Sequence, residues 1–202
     1  KTNETGFCIR HFELMYQRRN RLGLALMTHT HMQEVAKDLK RILESGNASK
    51  GFFSALRGGK SSPAHGEQIR SRLSGCVICE QINSALERYA YTIAQLYGSN
   101  AEFKQMFEQS KGFCLPHLAL ILDMAEQTLP SSQNAAFTSA LAALELQNLD
   151  RIEKELEWFT LKFDYRNADK PWGNSRDAVE RSINKLMGAC VGEEAQMPAH
   201  ND

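Results

Sequence analysis

Six residues of this sequence hold most of its capacity for chemistry. Cys76-Val77-Ile78-Cys79 places two thiols three positions apart. At a helix start that spacing points both sulfurs into one small volume, where flanking amides help hold thiolate charge. Gly112-Phe113-Cys114-Leu115-Pro116-His117 adds a third sulfur and an imidazole at the same spacing. Zinc is held tetrahedrally by such Cys3His sets, with Zn–S about 2.3 Å and Zn–N about 2.0–2.1 Å. A helical hairpin made of the 34 residues between Cys79 and Cys114 would return the chain on itself. The expected metal ligands are therefore Cys76, Cys79, Cys114 and His117. The glycine ahead of the aromatic residue gives the backbone room for a tight turn, and Phe113 is expected to shield the metal on its apolar side.

The second knuckle has a near copy. Gly6-Phe7-Cys8-Ile9-Arg10-His11 lies 106 residues earlier, with Gly, Phe, Cys and His identical. Applying the same spacing to this copy puts its Cys-x-x-Cys pair before Lys1. The expectation is two tandem modules, the first lacking its leading helices, with Cys8 and His11 an incomplete half-site completed by residues upstream. His29 and His31 are the alternative completion, but at i and i+2 they do not share a helix face, and they read as surface or packed histidines. The same cysteines admit a redox reading. An iron–sulfur cluster would draw Cys8 to Cys76, Cys79 and Cys114, and a thiol–disulfide switch would cycle the pair. The bland alternative is buried, reduced cysteines with His117 as a helix cap. Covalent haem is excluded because Glu80, not histidine, follows Cys79, and no βαβ context supports a thioredoxin-like role. Cys190, near the end of the chain, reads as a free thiol.

The elements that must position these residues are helical. Apolar residues recur at helical spacing from Cys8 through Met15, and again after Asn20 to Leu43, where Gly46-Asn47 stops the pattern. Six glycines with Ser61-Ser62-Pro63 make 46–75 a linker, in which Phe52, Phe53 and Leu56 form an apolar island. A helix follows over roughly 77–97, then a break at Gly98-Ser99-Asn100 and a short helix carrying Phe103, Met106 and Phe107. Pro116 suits the first turn of the next helix. Ser131 and Ser132 are candidate caps for a long helix through Phe159, and Asn174 or Ser175 for a last one with Val179, Ile183 and Leu186. The predicted organisation is a truncated helical module over 1–45, a flexible linker over 46–75, a second helical module over 76–188 bearing the site, and a disordered tail over 189–202.

Composition bounds the function. The 202 residues carry 24 Lys and Arg against 24 Asp and Glu, which excludes a nucleic-acid binder relying on bulk positive charge. With 42% hydrophobic residues the chain is not a disordered acidic one, and no run of about 18 apolar residues exists to span a membrane. Five cysteines used in this way point to a reducing compartment, hence a cytoplasmic protein. Gly58-Gly59-Lys60-Ser61 lacks the spacing of a P-loop. No nucleophile elbow or His-Glu-x-x-His occurs, and Glu153, Glu155 and Glu157 lack the Glu-x-x-His context of a di-metal site. Arg18-Arg19-Asn20-Arg21 fits a helix C-terminus better than a nucleic-acid patch. Trp158, Phe159, Tyr165 and Trp172 read as packing surface.

The order Gly-Phe-Cys-x-x-His, Cys-x-x-Cys, Gly-Phe-Cys-Leu-Pro-His resembles an uncharacterised bacterial family, domain of unknown function 6062. The run from Glu157-Trp158-Phe159 through Asp164-Tyr165-Arg166-Asn167 to Pro171-Trp172-Gly173-Asn174-Ser175 is similar to it as well, and the resemblance covers essentially the whole chain. It implies an earlier Cys-x-x-Cys at the N-terminus and no established activity. The expectation is an all-α bundle stabilised by Zn2+, acting as a binding or scaffold module more than as an enzyme. Its partner would be another protein or a second copy of the chain.

Overall fold

Leucine, alanine and glutamate at helical spacing, with few β-branched runs, dictate helices, and helices are what forms. The computed structural model describes residues 1–45 and 64–188. Among them there are nine α-helices and no strand. They are α1 (Thr2–Thr5), α2 (Ile9–Gln17), α3 (Arg21–Ser45), α4 (His65–Leu73), α5 (Val77–Ser99), α6 (Ala101–Glu108), α7 (Leu115–Thr128), α8 (Ser131–Leu161) and α9 (Ala178–Met187). None is long and apolar enough to cross a membrane. The chain divides into two compact units, Lys1–Ala85 and Leu86–Asp202.

The first unit is held by small polar clasps. Asn20 begins α3 by accepting the Gly23 N–H at 3.0 Å. Thr30 Oγ1 on α3 donates to Asn3 Oδ1 at 3.0 Å, and His31 Nδ1 meets the Asn3 carbonyl at 2.7 Å, so α1 lies along α3. Arg72 Nε on α4 donates to Asp38 Oδ2 on α3 at 2.8 Å. Among the described residues of this unit there is little apolar interior. Its only buried described residues are Gly6, Cys76 and Val77, while Leu22 and Met32 are 73% and 64% exposed. Burial stabilises by about 25 cal/mol per Å2 of apolar surface removed from water, and here little is removed.

The second unit has that interior. Phe137 and Leu141 on α8 are fully buried and pack with Ala94, Tyr97, Phe107, Ile121 and Ala125. Tyr97 meets Phe107 and Phe137 edge-on, with ring centroids 5.2 and 5.1 Å apart, a geometry that adds to area burial. Asn100 caps α6 by accepting the Phe103 N–H at 2.9 Å. Pro116 stands in the first turn of α7, where its missing N–H costs nothing. Beneath the α7 start, the buried Glu145 carboxylate pairs with Lys185 of α9 and accepts the Phe113 N–H at 2.5 Å. Lys162 fixes the loop after α8 by donating to the carbonyls of Asn167, Ala168 and Lys170. Phe159, Phe163 and Trp172 pack as a ring cluster, whereas Tyr165, read as packing surface, is 87% exposed.

Several boundaries differ from the sequence reading. Residues 65–73, assigned to the linker, form α4, because Glu67 in its first turn and Arg70 and Arg72 in its last suit a helix dipole. The rest of that linker over 46–63, with Phe52, Phe53 and Leu56, lies outside the described residues, as does the tail over 189–202 with Cys190. The caps of the last two helices are one to three residues from those predicted: α8 starts after Pro130 and α9 after Asp177, neither with a side-chain cap bond. Glu145→Ala is expected to cost about 3–5 kcal/mol, since it strands the buried Lys185 charge and the Phe113 N–H. Lys185→Met added to it should recover part of that loss, both read from urea denaturation.

Candidate metal centre

The centre starts from a glycine. Gly6 ends α1 at φ +74°, a conformation that side chains rarely adopt, and a Cβ there would collide with the His31 imidazole. Its carbonyl accepts the Val77 N–H at 3.1 Å. This bond lays the Gly6-Phe7-Cys8 turn beside Gly75-Cys76-Val77, and each turn then opens a helix. Cys8 is the N-cap of α2 (φ −72°, ψ 164°), and its carbonyl accepts the Phe12 N–H. The Cys76 carbonyl accepts the Glu80 N–H at the start of α5. His11 and Cys79 therefore sit in the first turns of two helices whose N-terminal amides favour negative charge.

The four side chains converge. His11 Nδ1 lies 3.2 Å from Cys8 Sγ, 3.3 Å from Cys76 Sγ and 3.4 Å from Cys79 Sγ. Cys8 Sγ and Cys79 Sγ are 3.8 Å apart, too far for a disulfide, whose S–S bond is about 2.05 Å. All four ligand atoms lie within 4.8 Å of one another. A tetrahedron with zinc bond lengths has S···S edges of about 3.8 Å and S···N edges of about 3.6 Å, close to the spacing found. Cys76 is buried and the other three are half-buried, so the donor set fits a soft or borderline divalent ion.

Electrostatics point the same way. Burial alone would raise the Cys76 thiol, but hydrogen bonds from the backbone N–H groups of Cys79 and Cys8, with the Cys79 and His11 side chains, hold it down at about 6. Cys79 is pushed up to about 11 by its hydrogen bond with Cys76, by burial and by Cys8. Cys79 thus keeps its proton near neutral pH, and a metal must displace it, because only thiolate ligates.

This is a different closure from the one read in the sequence. Cys76 and Cys79 are ligand candidates as expected, but the group that completes them is Cys8 and His11 within the same unit. Cys114 and His117 belong to the second unit and face each other, with Sγ 3.2 Å from Nδ1. Cys8 and His11 need no upstream partner to reach four donors, and His31 instead holds α1 on α3. The physical reason is the Gly6–Val77 bond: it sets which knuckle meets the Cys-x-x-Cys pair, and spacing alone does not encode it. Phe113 packs on Phe107 of the aromatic core, with centroids 5.9 Å apart, and shields that core.

DUF6062, a family of unknown function, matches the chain over residues 1–193, and the chain belongs to it. Neither a curated protein nor a solved structure matches.

Gly6→Ala alters no ligand, yet it should destabilise the chain by about 1–3 kcal/mol, since φ +74° is strained for alanine and His31 must move. Thermal unfolding beside the ordinary helical substitution Gly66→Ala measures the difference.

Proposed function

We propose that this DUF6062 member is a zinc-stapled helical protein, with a binding or scaffold role and no catalytic one at this centre. The observation that carries the reading is the convergence of Cys8, His11, Cys76 and Cys79 within 4.8 Å. Three thiolates and an imidazole are a zinc set, and four protein ligands close the tetrahedron. A catalytic zinc keeps one position for water or substrate. An iron–sulfur cluster favours four cysteines, and this group has three. The near absence of buried apolar residues among the described residues of Lys1–Ala85 supports the same reading, because a unit with little core gains folding free energy from a bound ion. Retention of three reduced thiols suits a cytoplasmic setting.

The test is elemental analysis of the purified chain with an ultraviolet–visible spectrum, followed by melting with and without chelator. The expected protein is colourless and contains zinc, and chelation lowers its melting temperature. Cys79→Ser should lose one equivalent of metal and melt lower. A brown chromophore would establish the cluster instead, and unchanged metal content in Cys79→Ser would remove these residues as ligands.

A further inference from the structure

Where α9 starts against α8, the chain gathers more positive charge than it pairs. An open hollow of about 440 Å3, wholly within the second unit, is lined by Lys111, Arg151, Arg176 and Arg181 and by the carboxylates of Glu155 and Asp177. Over the whole chain acidic and basic residues are equal in number, 24 of each. Four cations against two carboxylates is therefore a local excess. The carboxylates of the adjoining hollow, Glu108 and Asp150, face lysines of their own helices, Lys104 and Lys154.

Two of the cations are fixed. Glu155, whose side chain is 16% exposed, accepts from Arg151 Nη1 at 2.9 Å and also from Arg181 Nη1. Arg181 Nη2 donates to the Asn174 carbonyl and to Asp177 Oδ1, the latter at 2.9 Å. Burial would raise the Glu155 carboxyl, yet the Arg181 and Arg151 guanidinium groups hold it below its ordinary value, so the clamp stays charged. The other two cations are open. Lys111 acts on Asp177 through its field, and Arg176 stands over the Trp172 face, its guanidinium 6.0 Å from the ring centroid. Among the described residues neither has a hydrogen-bond or ion-pair partner, and both are exposed.

We propose that this hollow binds the phosphate group of a small molecule, with the Lys111 ammonium and the Arg176 guanidinium as direct donors and Arg151 and Arg181 as fixed charge beside them. A phosphate monoester carries about −1.5 to −2 charge near pH 7 and three acceptor oxygens, which matches two unmatched positive charges on two open donors. A carboxylate brings about half that charge. Guanidinium and ammonium groups both pair with phosphate, the first as a fork and the second as a point charge. The hollow falls in the size range of small-molecule sites, about 300–1,000 Å3, and a chain without net charge offers a polyanion such as nucleic acid no bulk attraction. The site shares no residue with the Cys8, His11, Cys76 and Cys79 centre, so it stands whether or not that centre holds zinc.

Titration of the full, isotope-labelled chain with inorganic phosphate and, in parallel, with glycerol phosphate tests it through backbone amide shifts, at an ionic strength held constant with potassium chloride. Either compound should produce saturating shifts at Lys111, Asn174, Arg176 and Asp177, and acetate at the same concentration should not. Arg176→Gln and Lys111→Gln should each weaken phosphate binding by about tenfold, the loss of one charge-assisted hydrogen bond. Both side chains are exposed and unbonded, so neither replacement disturbs the core. Arg18→Gln, at an exposed cation of the first unit, should leave the affinity unchanged. Shifts that are absent or do not saturate, equal binding of acetate, or equal weakening by Arg18→Gln would overturn the site. So would a single-stranded oligonucleotide that produces the same shifts at a far lower concentration, which would make the hollow part of a nucleic-acid surface.

Discussion

Three thiol groups do not crowd around one imidazole without a reason. Ionised together they repel, and protonated they leave weak donors in a half-buried place with little to accept them. A divalent cation removes both penalties at once. It neutralises the thiolates, satisfies the imidazole lone pair and fixes the spacing that the four ligand atoms already have. The described parts of the first unit converge on that cluster. The left-handed Gly6, the bond from Val77 to its carbonyl and the two helix N-termini all serve to bring Cys8 and His11 to Cys76 and Cys79.

The two units solve the stability problem differently. Leu86–Asp202 buries Phe137, Leu141, Ile121 and Phe107 in an interior of ordinary kind, with the Glu145–Lys185 pair set into it. Lys1–Ala85 buries little beyond Gly6, Cys76 and Val77 among the described residues. Small domains of that type depend on metals or disulfides, because their surface is large relative to their volume. A bound ion would concentrate in a few atoms what the second unit spreads over its aromatic core, and a single ligand change would then reach further in the first unit than a single core change does in the second.

Much of this was legible in the residues. Helical spacing of leucines and alanines gave α2, α3, α5, α7 and α8 nearly in place, and Pro116 and Asn100 marked real boundaries, while Gly98 lies within α5. The residue types of the cluster were legible too, since Cys-x-x-Cys and Gly-Phe-Cys-x-x-His supply the thiols and the imidazole that converge. Their pairing was not. One Cys-x-x-Cys stands between two equivalent knuckles, and a hairpin of 34 residues to Cys114 looks simpler than a return across α3 and α4 to Cys8. The choice is made by one backbone hydrogen bond between residues 71 positions apart, and side-chain periodicity carries no trace of it. The helix α4 was hidden for a related reason: its flanks are rich in glycine and serine, and only its charge order, acidic first and basic last, marked it as helical.

The pairing is also what a single diffraction experiment decides. Anomalous difference maps on either side of the zinc absorption edge, from crystals of the zinc-loaded chain, locate the ion against its ligands. The account predicts a peak bonded to Cys8, Cys76 and Cys79 Sγ at about 2.3 Å and to His11 Nδ1 at about 2.0–2.1 Å. A peak bonded to Cys76, Cys79, Cys114 and His117, or none beside the sulfurs of Cys76 and Cys79, would contradict it.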